Sequence, residues 1–137
     1  MSEFALTNIQ NDLTEQNNFY SSLIPKDKKE ETILFNAINN PDYKISDFIN
    51  TEIVVQDVIC EMVQCTNKET GEISSVPRII LITPDNETYQ AVSIGIYNSM
   101  KKVFAIKGLP ETWTEPIKIK IQQVTRGERK MLTFVLV

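Results

Sequence analysis

The basic side chains in the last third of this 137-residue sequence are spaced for contact with a polyanion. Lys118 and Lys120 alternate with Ile117, Ile119 and Ile121. Successive side chains of an extended strand point to opposite faces, so the lysines stand outside while the isoleucines face a core. Arg126, Arg129 and Lys130 follow around a turn at Gly127. Such a row can hold one phosphate after another, each contact releasing counterions and adding affinity without reading sequence. The same pattern also suits a solvated outer face, or an edge strand kept from aggregating by its charge. Lys68, in the polar turn Asn67–Glu72, can reach the same ligand from another loop.

Unpaired bases need flat partners as well as charge. In Thr88–Ile94, Val92 and Ile94 are the natural core-facing residues, which turns Tyr89, Ala91 and Ser93 outward. A tyrosine beside two small residues leaves room for a base to lie on it, though a half-buried strand tyrosine fits the same pattern. Arg78, on the preceding strand, can hold a phosphate or stack its guanidinium plane. Trp113, the only tryptophan, stands between prolines in Leu109–Pro116, a position that suits a plug at the end of a barrel as well as a platform.

Other chemistries find little support. The sequence has no histidine, which removes Ser-His-Asp and Cys-His arrangements, histidine metal ligands and the usual base at neutral pH. Cys60 and Cys65 lie five apart on one predicted strand and so face opposite ways, as free thiols of a reducing compartment. Two thiols are too few for a structural zinc site. Gly71, Gly95, Gly108 and Gly127 are too scattered for a phosphate cradle, and nothing marks Glu111 and Glu115 as a general acid and base. No enzyme activity, metal or cofactor is expected.

These side chains need elements to position them. The length fits one domain, and 42% apolar with 23% charged residues is ordinary for a chain that buries a core. Residues 1–24 are polar, with sparse apolar positions (Phe4, Leu6, Ile9, Leu13, Phe19, Leu23), and read as an arm. Pro25 to Asn40 reads as a helix with an Ile33, Leu34, Ala37, Ile38 stripe. From Thr51 a long β-branched run predicts a strand that bends or bulges in its middle. Ile73–Thr83 reads as a second strand, with Pro77 favouring an edge or bulge, and Thr88–Ile94 as a third. A helix follows, with Ile96, Met100, Val103 and Phe104 on its core face and Gly108 as its stop. Ile117–Thr125 and Lys130–Val137 are the fourth and fifth strands. Three strands, a helix and two strands is the order of a five-stranded Greek-key OB barrel with its helix between strands three and four. The expected division is a helical N-terminal extension over 1–50, serving assembly, and a mainly β OB domain over 51–137.

The segment from Pro77 onward resembles the small single-stranded DNA-binding proteins of phages and conjugative plasmids of Gram-positive bacteria. The likeness lies in Thr88–Phe104, the Gly108–Trp113 loop, Glu115–Val124 and the basic hairpin. It implies sequence-tolerant coating of single-stranded DNA during replication or transfer, by several copies on one strand. The disordered acidic tail of cellular bacterial counterparts has no equivalent in Phe134–Val137, so partner recruitment through such a tail is not expected. The formal net charge of −4 argues against nucleic acid as a whole-chain figure. Its distribution does not: residues 97–137 hold eight basic and three acidic side chains, a local +5 against −9 elsewhere. Single-stranded DNA is the expected partner, with RNA not distinguished from it and self-association through residues 1–24. The alternative is an OB-fold adaptor that binds protein through the arm. Neither a secretory signal nor a membrane-spanning stretch is evident, so a soluble, cytoplasmic protein is expected.

Overall fold

The computed structural model describes residues 19–137. The long β-branched run does bend: β3 (Glu52–Val55) and β4 (Asp57–Thr66) part at Gln56. β4 pairs antiparallel with β5 (Ile73–Ile82), whereas β3 pairs antiparallel with β7 (Ile117–Arg126). One bent run therefore enters two sheets. The first has the order β1-β4-β5-β6-β2, with β1 at Phe19–Ser21, β2 at Tyr43–Lys44 and β6 at Thr88–Val92. The second has the order β3-β7-β8, with β8 at Arg129–Leu136.

Both sheets turn one face to a common core. Val58, Cys60, Ile79, Leu81 and Ala91 line it from the first, and Ile53, Val55, Ile119, Ile121 and Phe134 from the second. Helix α2 (Ile94–Lys107) packs against β5 and β8 and brings Ile96, Met100, Val103 and Phe104 into the same cluster. The 3.6-residue period predicted that stripe. Ser93 caps the helix, its Oγ accepting from the Ile96 N–H at 3.1 Å, and Gly108 at φ +84° ends it. Gly95 is required by proximity: a Cβ there would stand 2.0 Å from the Leu132 carbonyl oxygen of β8, so only glycine lets the first turn of α2 approach that strand.

The five-stranded sheet is covered on its other face too. Ile59, Ile80 and Ile82 form a second cluster beneath α1 (Lys28–Asn39), which contributes Ala37, Leu34 and Ile38. Asp27 caps α1, its Oδ1 accepting from the Glu30 N–H at 2.8 Å. Burial on both faces explains why Ile79 to Ile82 are apolar without alternation, whereas β7 alternates.

Three features differ from the sequence expectation. Two short strands, β1 and β2, escaped it, because three- and two-residue strands leave no readable period. Ile45 is fully buried in the main core, with Phe48 and Ile49 against it, so residues before Asn50 contribute to the packing of the strands after it. β6 faces the opposite way from the expectation: Ala91 is buried, and Val92 and Ile94 are 51% and 59% exposed. Pairing decides this, because Ala91 sits opposite the buried Ile79 and Val92 opposite Arg78.

Candidate nucleic-acid interface

The outer face of the three-stranded sheet gathers most of the predicted cations. Residues directly opposite in an antiparallel ladder share a face. Lys118 stands opposite Val54, Lys120 between Glu52 and Val135, Val124 opposite Met131, and Arg126 opposite Arg129. Lys118, Lys120, Arg126 and Arg129 thus form one row with Glu52 as the carboxylate among them. Val54, Val124, Met131 and Val135 are interleaved with them and remain 36–42% exposed, so much of this face is open, although α2 reaches it at Thr133, whose Oγ1 lies 2.8 Å from the Ser99 Oγ. The Lys118 ammonium lies 3.8 Å from Glu52, both side chains about half exposed, a contact too solvated to hold the lysine strongly. Lys130, paired with Thr125, is exposed on the other side of the same hairpin, and Lys68 is exposed at the β4–β5 turn.

The outer face of the five-stranded sheet has a different character. Arg78 stands opposite Glu61 and donates to its Oε1 at 2.8 Å, with side chains only 15% and 22% exposed. Its charge is therefore compensated within the fold. Sequence spacing could not reveal this, because the partner lies 17 residues away and is fixed by the β4–β5 register.

Tyr89 shares the core-side face with Ala91. Its ring meets Tyr43 at 4.9 Å and, edge-on, Phe48 at 5.0 Å. Burial is the main reason its hydroxyl titrates above the ordinary tyrosine range, with Glu87 adding to it. Tyr43 is raised chiefly by its 3.2 Å hydrogen bond to Glu87. Tyr89 is thus one member of an aromatic trio rather than a ring standing free beside small residues.

Trp113 is half-buried, and its indole Nε1–H donates to the Gly108 carbonyl at 2.9 Å. Beside it opens a cleft of about 610 Å³, lined also by Lys107, Thr114, Glu115, Lys118 and Val137. Glu111 has a structural partner: it accepts from the Tyr20 hydroxyl at 2.8 Å, and burial with this bond holds Tyr20 far above the usual tyrosine range. The two thiols do face opposite ways, Cys60 buried and pushed up to about 12 by burial, Cys65 exposed. Tyr97 was missed by the sequence reading. It is half-buried on α2 with the Lys101 ammonium 5.4 Å from its ring centre, and its i, i+4 spacing to Lys101 was the signal that could have found it.

A small, mainly β protein that leaves one basic, partly apolar sheet face open has the makings of a binder of extended polyanions. The model of the family described as phage single-stranded DNA-binding protein matches residues 13–137, and the chain belongs to that family. Searches of curated proteins and of solved structures returned no match. Among the described residues no helix is long and apolar enough to cross a membrane.

Proposed function

We propose that this protein is an OB-fold barrel that coats single-stranded DNA without sequence preference during phage or plasmid replication or transfer, and that it catalyses no reaction. The bent first strand shared between two sheets, and the helix between β6 and β7, favour the OB assignment. The observation that carries the functional reading is the open row of Lys118, Lys120, Arg126 and Arg129 on one sheet face. Lys130 and Lys68 add charge from the two hairpins, and the exposed apolar side chains offer surface on which bases can lie. Arg78 and Tyr89, engaged with Glu61 and with the aromatic trio, are weaker contacts in this reading.

Fluorescence titration with oligo-dT at several salt concentrations tests it. With about three to five phosphates neutralised, log K falls against log salt with a slope of about −2 to −3.5. Failure to bind, with a 1:1 protein complex instead, supports the adaptor. Competition between oligo-dT and oligo-U separates DNA from RNA. Assembly of copies through residues 1–24 is part of the proposal, and residues 1–18 lie outside those the structure describes. Deleting the segment is expected to reduce cooperativity on long single strands more than intrinsic affinity.

A further inference from the structure

We infer that the bound strand runs along the outer face of the three-stranded sheet, from the β7–β8 turn to the Trp113 cleft, and that a base seats against the indole there. This rests on the single-stranded DNA reading and departs from the usual OB ligand surface, which would here be the outer face of the five-stranded sheet.

Charge separates the two surfaces. On the five-stranded sheet Ile59, Ile80 and Ile82 lie under α1, and Arg78 is bound to Glu61 at 2.8 Å with little solvent around either. Recruiting Arg78 to a phosphate would leave Glu61 unpaired beside the incoming anion, a penalty the ligand must offset. On the three-stranded sheet the four cations outnumber Glu52 and the turn's Glu128, Glu115 stands at the cleft, and the Lys118–Glu52 contact costs little to give up.

Geometry extends the row into the cleft. Alternate residues of a strand recur every ~6.6 Å on one face, so Lys118 to Arg126 covers about 26 Å. Lys118 belongs both to this row and to the cleft lining, and the Val137 N–H bonds its carbonyl at 2.9 Å, so the sheet face and the cleft form one surface. The cleft adds Lys107 as a second cation beside an aromatic ring. The bond from Nε1 to Gly108 fixes that ring in advance, so little ordering cost attends stacking. Met131 and the exposed valines along the row give bases apolar contact without hydrogen-bond readout.

Because Trp113 is the sole tryptophan, its emission reports on the cleft directly. Oligo-dT of graded length, end-labelled so that its anisotropy reads affinity alongside tryptophan emission, is titrated with the intact protein and with Trp113→Phe, Arg78→Gln and the double variant Lys118→Glu/Lys120→Glu, each first shown to be folded by circular dichroism. The expected results are saturable quenching of the parent, a loss of affinity on the order of 10–100-fold in the lysine variant, and a salt slope flatter by about 1.4. Trp113→Phe, which keeps a flat ring, stays within a few-fold of the parent, and Arg78→Gln, which removes a weaker contact, loses far less affinity than the lysine variant. Binding by the parent with unmoved tryptophan emission and no effect of the lysine reversal overturns this path while leaving the DNA-binding reading intact. A larger loss in Arg78→Gln than in the lysine variant overturns it as well. A folded parent that does not bind oligo-dT overturns both.

Discussion

The two sheets share a core but finish their outer faces in opposite ways. The five-stranded sheet buries its outer isoleucines under α1 and neutralises Arg78 with Glu61, while Lys44 on its short edge strand β2 stays exposed. The three-stranded sheet leaves lysines, arginines, valines and a methionine in solvent. A surface that is already satisfied contributes stability. One that keeps uncompensated charge and exposed apolar area retains free energy that a ligand can release.

Ile80→Ala removes a fully buried side chain from beneath α1. It should cost about 2–5 kcal/mol in urea unfolding while the folded fraction binds oligo-dT as the parent does. Loss of intrinsic affinity in the folded fraction would mean that the covered face also serves the ligand. Next in size, Arg126→Glu with Arg129→Glu should weaken oligo-dT binding by about 1.5–3 kcal/mol at low salt and flatten the salt slope by about 1.4. Stability should change by no more than about 1 kcal/mol, since both side chains are exposed.

Glu61→Gln is a smaller perturbation that tests the compensated pair. It removes the charge facing Arg78 in a partly buried site and should cost about 1–2 kcal/mol of stability. Oligo-dT affinity should stay within about twofold; a several-fold rise would show that freeing Arg78 creates a contact, and the contrast between the faces would fail.

The smallest effect at neutral pH concerns the core face of the five-stranded sheet. Burial raises the Cys60 thiol from 9.0 to about 12, so its contribution to stability is complete below its unfolded value and is lost as pH rises toward the folded one. Unfolding free energy should therefore decline above about pH 9, by up to ~1.4 kcal/mol per pH unit for such a group. Cys60→Ala should flatten that decline, and an unchanged slope would remove Cys60 as its source.

Much of the strand and helix order was legible because it rests on local period. Ile96, Met100, Val103 and Phe104 repeat at helical spacing and are all buried, and the alternation of β7 separates its isoleucines from its lysines as it should. The facing of β6 was not legible. Thr88–Ile94 offers apolar residues on both parities, and the β5–β6 register made the choice by setting Ala91 opposite the buried Ile79 and Val92 opposite Arg78. The state of Arg78 was hidden for a related reason: a cation on a strand looks the same whether its neighbour across the ladder is solvent or Glu61.

Residue order alone fixes which residues share a strand face, that the first long run must bend, and that positive charge collects in the last third of an acidic chain. Those properties follow from the two-residue period of a strand, the 3.6-residue period of a helix and the order of residue types. Only the tertiary structure decided which outer face is closed and which stays open. Coverage and charge compensation depend on where α1 docks and on the register between β4 and β5, contacts between residues far apart in the chain that no local pattern encodes.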